Sequence, residues 1–331
     1  MMMYNKSITI FCEILTMYLL GFDIGGTKCA VVTARYENES IELLKKLSCP
    51  TDHSVSAREM IERLCDMADT ILQKQPDSIG ISCGGPLDSA KGVILSPPNL
   101  PAWDSVPIVE IISNRYNTRA ILQNDANACA VAEWKFGAGR GTKNMVFMTF
   151  GTGLGAGLII DGKLYDGTNG NAGELGHIRL AQTGPVGYGK RGSFEGFCSG
   201  GGIKQLGEKM AQKSIKKGYT PLYFEDNNPD SVTAKSIAEA ARLGDPTALE
   251  VFKISGKFLG RGLSIIIDVL NPEKIVIGSI FARSRDLLWD EAEKIIKKEA
   301  LPFSTDCCEV VAAELGENIG DFAAIATSLL T

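Results

Sequence analysis

The chain has 331 residues, 44% hydrophobic and 22% charged, an ordinary globular composition with length for about two domains of roughly 150 residues, which excludes long disorder, collagen and coiled coil. Lys plus Arg number 34 against 39 for Asp plus Glu, a net charge of -5 with no dense basic stretch, so no nucleic-acid partner is expected. The nine cysteines are odd in number and form no C-x-x-C pair, which points to a reducing, cytoplasmic compartment without a disulfide framework.

At the amino end Lys6 precedes a largely apolar stretch, Ile8 to Leu20, with the outline of a signal-peptide core. Glu13 interrupts it, no small-residue cleavage site follows, and it falls short of the ~20 apolar residues that span a bilayer. No membrane partner is expected. Met17 reads as the start of the fold, with residues 1–16 as an extension outside it.

Met17 to Ile24 reads as an apolar strand, and after Gly25-Gly26-Thr27-Lys28 a second, β-branched strand begins at Cys29. A Rossmann turn needs G-x-G-x-x-G and a following helix, and a Walker loop needs G-x-x-x-x-G-K-[ST]; neither is present. A strand over 41–48 follows, then a helix within 54–75 capped by Ser54 or Ser56. Next come a strand over 78–83, the turn Gly84-Gly85-Pro86-Leu87-Asp88 and a proline-punctuated loop over 96–101. A helix over 106–115, a strand over 120–123 and a helix over 126–136 complete the half, and Gly137 to Thr142 reads as a hinge. Asn144 to Phe150, Gly151 to Gly157 and Leu158 onward repeat the strand, glycine turn, strand order, so a duplicated module is expected. Helices over 232–243, 246–269 and 283–299, strands over 274–277 and 308–313, and a final helix remain.

Of the 36 glycines, twenty lie between Gly137 and Gly202, where backbone must turn tightly or approach a ligand closely. Each hairpin offers unobstructed N–H groups and a Thr hydroxyl, Thr27 or Thr152; one alone reads as an ordinary glycine turn, but two of like form with an acidic strand end point to polyphosphate oxygens. Asp23, just before the first turn, stands where Mg²⁺ bridging phosphates is held through water. Asp125, at a strand exit and helix start, reads either as an N-cap or as a general base taking a proton from an attacking hydroxyl. Glu174, His177 and Glu195, among glycines, suit the paired hydroxyls of a sugar, although loop acids are commonly only solvated. His53, in a polar loop, is given no role.

Asp23-Ile-Gly-Gly-Thr-Lys28, Asn124-Asp-Ala-Asn127, Gly151-Thr-Gly-x-Gly155 and Gly173-Glu-Leu-Gly-His177 together resemble the ROK family (repressors, open reading frames and sugar kinases), in order and spacing, across about 17–331. The resemblance implies an α/β, two-lobed, actin-like (hexokinase/ribonuclease H-like) fold with mixed sheets and a central cleft. One lobe would hold 17–136 plus about 317–331, the other 137–316. It implies an ATP- and Mg²⁺-dependent kinase for a hexose or N-acylhexosamine, with Asp125 as base and Gly85, Asn99, Asn124, Glu174, His177 and Glu195 against the sugar. Gly25, Gly26, Thr27, Lys28, Gly151, Thr152 and Gly153 would face the nucleotide phosphates, and Gly278 the adenosine; a homodimer is the family expectation. Many members carry zinc on a His followed by C-x-C-G-x-x-G-C-x-E. Here the cysteine positions hold Val186, Tyr188 and Ser193, so no structural zinc is expected, and Tyr188 with its neighbouring glycines is expected to pack the loop instead. Polyphosphate as donor stays open, as does a sugar-binding protein without catalysis. A repressor needs a DNA-binding domain, for which the residues before Met17 are too few.

Overall fold

The computed structural model describes residues 16–224 and 228–330. The extension expected at 1–16 lies outside the described residues except for Thr16. The first half runs β1 (Met17–Ile24), β2 (Lys28–Glu37), β3 (Ser40–Pro50), α1 (Ala57–Ile71), β4 (Ser78–Cys83), the short β5 (Leu87–Asp88) and β6 (Val93–Ile94), α2 (Ile108–Tyr116), β7 (Ala120–Asn124) and α3 (Asp125–Phe136). The second runs β8 (Met145–Phe150), β9 (Leu154–Ile160), β10 (Lys163–Tyr165), the short β11 (Val186–Gly187) and β12 (Lys190–Arg191), and then α4 (Phe194–Phe197) and α5 (Gly200–Ile215). It continues with α6 (Ala234–Arg242), α7 (Pro246–Leu270), β13 (Lys274–Ile277), α8 (Ile280–Glu299), α9 (Pro302–Thr305), β14 (Glu309–Ala312) and α10 (Ile319–Thr327).

The long strands form two five-stranded sheets, β3-β2-β1-β4-β7 and β10-β9-β8-β13-β14. In each, three consecutive strands pair antiparallel and two later strands add in parallel. β4, paired on both sides by β1 and β7, is buried at every residue because helices cover both faces of a parallel strand, whereas edge strand β3 carries Lys45 and Lys46 and stays largely open. Caps set where helices begin: Ser56, not Ser54, accepts the Glu59 N–H and starts α1, and Asp245 accepts the Ala248 N–H ahead of Pro246 to start α7.

Each half lends its last helix to the other half's sheet. α10 lies on β1 and β4, where Gly21 and Gly80 are register partners; a Cβ at Gly80 would come within 1.9 Å of the Ala324 carbonyl oxygen, so only glycine lets the helix down onto the strand. α3 lies on β8 and β9, where a Cβ at Gly157 would be 2.6 Å from that of Ala130. Ala128, Ala132, Ala323 and Ala326 of the two helices share one buried core with Phe147 and Val276. Two sheets of the same order with exchanged closing helices make the actin-like α/β fold. Among the described residues no helix is long and apolar enough to cross a membrane.

Candidate active site

The first glycine hairpin closes with the Gly25 N–H on the Lys28 carbonyl at 3.1 Å. Its carbonyls are held from behind: Gly25 O accepts the Thr51 hydroxyl at 2.6 Å, Thr27 O accepts the Thr51 N–H at 3.0 Å, and Gly26 O meets His53 Nε2 at 2.8 Å. His53, expected to have no role, thus braces the turn. A Cβ on Gly26 would lie 2.4 Å from that of Asn99, so the 96–101 loop packs against the turn. The amides of Gly26 and Thr27 donate to no protein acceptor among the described residues.

The second hairpin closes with the Gly151 N–H on Gly153 O at 3.0 Å, and its carbonyls are also taken. Gly151 O accepts the Gly200 N–H at 2.8 Å and Thr152 O the Gly201 N–H at 3.4 Å, both from the start of α5. Glu195 Oε2 accepts the Leu154 N–H at 3.0 Å, and Thr149 Oγ1 accepts that of Gly155 at 3.0 Å. The Thr152 and Gly153 amides are left without a protein acceptor among the described residues, as in the first hairpin. Carbonyls tied back and amides left open make an anion-binding surface.

Near the hairpins stand carboxylates. Asp23, at the end of β1, is pushed up to about 6, first by burial and then by the charges of Asp321 and Asp125, with Lys46 and Lys28 opposing. Lys46 also pairs with Asp321 at 2.6 Å. Asp125 is the first residue of α3; the N-cap is Asn124, whose Oδ1 accepts the Ala126 N–H at 3.0 Å, and Asp125 Oδ1 accepts the same N–H at 2.8 Å. The N-cap position expected of Asp125 thus belongs to its neighbour, and the two side chains share the N–H. Asp125 is open to solvent on one side, yet the protein around it disfavours the charged form and raises its carboxyl above the ordinary range. Gly84 and Gly85 face this corner, a Cβ on them lying 3.8 Å from Asp125 Oδ2 and 3.1 Å from Asn124 Nδ2. Gly155 of the second hairpin comes as close to Ala126, at 3.2 Å, so elements of both sheets meet at the start of α3.

The 173–195 region lies against the second hairpin. Glu174 and His177 are exposed, and Glu195 is half-buried on Leu154. Tyr188 does not pack this loop: it is 77% exposed at φ 41°, its ring meeting only that of His177 edge-on at 6.1 Å. Small residues let the backbone pack itself; Gly187 sits against Gly196 and Glu195, and the buried Ser193 accepts the Gly196 N–H at 3.1 Å and caps α4. Gly278 is buried against Phe147 and Ala313, and the open position at that strand end is Ser279, whose Oγ is 3.7 Å from a Cβ built on Gly151. Thr51, His53, Lys46 and Asp321 complete the site without any local pattern that marks them.

Fold and site define an actin-like α/β protein with two glycine hairpins whose amides lack protein acceptors among the described residues, and with Asp23 and Asp125 near them. The chain belongs to the ROK family, whose model matches residues 19–327. It is 32% identical to the glucokinase of Thermotoga maritima over 91% of this chain and 94% of that one. A ROK family glucokinase from Streptomyces griseus, solved with glucose and AMPPNP, superposes with a TM-score of 0.74 at 29% identity, covering 94% of this chain and 99% of that one. The xylose repressor of Caldicellulosiruptor bescii is 27% identical over 85% of this chain and 70% of its own length.

Proposed function

We propose that the protein is a sugar kinase that transfers the γ-phosphoryl group of ATP to a hexose hydroxyl. The observation that carries this reading is Asp125 at the meeting of the two sheets, its Oδ1 on the Ala126 N–H and its Oδ2 toward Gly84, with two glycine hairpins nearby whose amides have no protein acceptor among the described residues. The likeness to glucokinases, one solved with glucose and AMPPNP, supports it. The free amides of Gly26, Thr27, Thr152 and Gly153, with the Thr27 and Thr152 hydroxyls and Lys28, hold the phosphates on turns closed at Gly25 and Gly151, and the Gly278–Ser279 turn borders the adenosine. Glu174, His177 and Glu195, with Gly85, Asn99 and Asn124, hold the sugar. Asp125 takes the proton of the attacking hydroxyl, and its raised carboxyl is suited to a base working near neutrality.

No group of three or more His, Cys, Asp or Glu among the described residues would hold a metal alone. The surplus negative charge around Asp23 nevertheless fits a divalent cation held mainly by phosphate and water. Mg²⁺ would supply charge neutralisation on the phosphates there. We propose further that the 186–195 loop keeps its shape without zinc, through the Ser193 cap, and that two copies of the chain associate. Metal analysis and the solution mass check these points.

A sugar-binding regulator without catalysis is the second reading, favoured by the likeness to the xylose repressor. ATP-to-ADP turnover across hexoses and N-acylhexosamines, with Asp125→Asn alongside and polyphosphate as alternative donor, separates the two. Sugar-dependent turnover lost in the variant supports the kinase. Sugar-induced thermal stabilisation without turnover from either donor supports the regulator.

A further inference from the structure

Glu133, two turns beyond Asp125 on α3, is wholly buried and takes no part in the chemistry above. Its carboxylate gathers three backbone N–H groups: Oε2 accepts those of Ala138 at 2.8 Å and Glu314 at 3.2 Å, and Oε1 accepts that of Leu315 at 2.9 Å. Ala138 lies in the segment leading from α3 to β8, and Glu314 and Leu315 in the segment leading from β14 to α10. Gly137 has no room for a Cβ, which would stand 2.1 Å from Glu133 Oε2, so the backbone wraps directly around the carboxylate. Arg140 repeats the join at the surface, binding Glu314 at 3.0 Å, and Lys274 Nζ donates to Ala138 O at 3.1 Å.

The chain passes between the two helix-bearing sheets twice, at Asn124–Asp125 from β7 into α3 and at 313–318 from β14 into α10. α3 holds both passages. Asp125 stands at the first, and eight residues further along the same face, about 12 Å in a helix, Glu133 holds the second. Five residues beyond Leu315 is Gly320, where a Cβ would lie 2.6 Å from Asp23 Oδ2. A continuous path therefore runs from Asp125 along α3 to Glu133, through Leu315 to the start of α10, and onto Asp23.

We propose that Glu133 is a positioning residue: by pinning the β14-to-α10 passage to α3 it fixes how far the phosphate-side acid Asp23 stands from the sugar-side base Asp125. The role rests on the kinase reading. The geometry suits it, because the two acceptor oxygens of one buried carboxyl group take three N–H groups from two segments far apart in the sequence. Catalysis by positioning is sensitive to small displacements, so slack in this join appears in turnover before it appears in binding.

The test uses the full chain with Glu133→Gln, whose amide cannot accept at both ends, and Leu315→Pro, which deletes one donor at a residue already at φ -73°. Hydrogen exchange without ligands is expected to rise about tenfold or more in Glu133→Gln at Ala138, Glu314 and Leu315 together, with β1, β4 and β8 unchanged. In Leu315→Pro the rise is expected at Glu314 and Ala138 and is smaller. With the best sugar, kcat is expected to fall about tenfold in Glu133→Gln while the sugar KM stays within about twofold, and ADP formed per sugar phosphate rises. A rise confined to 137–139, or none, overturns the join. An unchanged kcat per folded molecule in whichever variant folds overturns the positioning role. A wild-type chain that turns over no sugar fails the kinase reading, and the positioning role with it, while exchange still decides the join.

Discussion

The two glycine hairpins share one backbone plan and differ in what stands behind it. In the first, the carbonyls are held by Thr51 and His53 from a separate loop, and the residue two before the turn is Asp23. In the second, they are held by backbone amides at the start of α5, and the residue two before the turn is Thr149, whose hydroxyl accepts the Gly155 N–H. Both leave amides open, so both suit an anion. The acids beside them differ in use: Glu195, beside the second, is tied to the Leu154 N–H, while Asp23, before the first, stands among other acids where a cation can be met.

The largest expected effect lies on neither hairpin but near them. Asp125→Asn is expected to lower sugar-dependent turnover by about 10² to 10⁴-fold, the usual range for a general base, with sugar affinity retained in calorimetry. Because burial raises the Asp125 carboxyl, wild-type turnover is expected to decline on acidification before ordinary carboxylates protonate, a limb to be read from the pH profile of kcat/KM. An unchanged acid limb in the variant would remove Asp125 as the titrating base.

Alanine at equivalent turns should then expose the difference in support. Gly26→Ala meets the Cβ and carbonyl oxygen of Asn99 at 2.4 and 2.7 Å, so the 96–101 loop has to move, whereas Gly153→Ala meets only the end of the Glu195 side chain at 2.8 Å. Denaturant midpoints should give a loss of about 1–3 kcal/mol for the first and under about 1 kcal/mol for the second. Equal losses would mean that the two turns are equally constrained.

Substitutions at the residues two before each turn, Asp23 and Thr149, should differ in sign. Asp23 binds its proton more tightly when folded, at about 6 against an ordinary aspartate's 3.8, so its contribution to stability is present at low pH and is lost as pH rises between those values. Asp23→Asn should therefore stabilise the ligand-free protein by about 1–3 kcal/mol above pH 6, the gain vanishing below pH 4. Thr149→Val should instead destabilise by about 1 kcal/mol at every pH, through the orphaned Gly155 N–H. Thermal melts across pH read both. His53→Ala should have the smallest effect, under about 1 kcal/mol with a weaker ATP KM, since one exposed hydrogen bond is lost.

Several site residues were legible because their pattern is local. A glycine turn between two apolar strands can be read from about ten residues, and so can Asn124-Asp125 at a strand exit, although which of the pair caps the helix depended on side-chain geometry. Thr51, His53, Lys46, Glu133 and Asp321 carry no such mark. Their partners are distant in sequence, as Lys46 and Asp321 are, 275 residues apart. Tyr188 failed as a packing residue for a related reason: whether an aromatic side chain turns inward depends on what already fills the interior, and here glycines and Ser193 fill it.

By itself the sequence determined the alternation of strands and helices, the duplicated hairpin plan and the motif order that marks the family, because hydrophobic period, turn chemistry and caps act over a few residues. Tertiary structure alone decided which sheet each closing helix covers, which side chains brace the turns, and how Asp125, Asp23 and Glu133 are tied together. Those outcomes depend on close approach between distant segments, at Gly80 and Gly157 for the helices and at one buried carboxylate for the chain crossings, and packing settles such contacts only when the whole chain is in place.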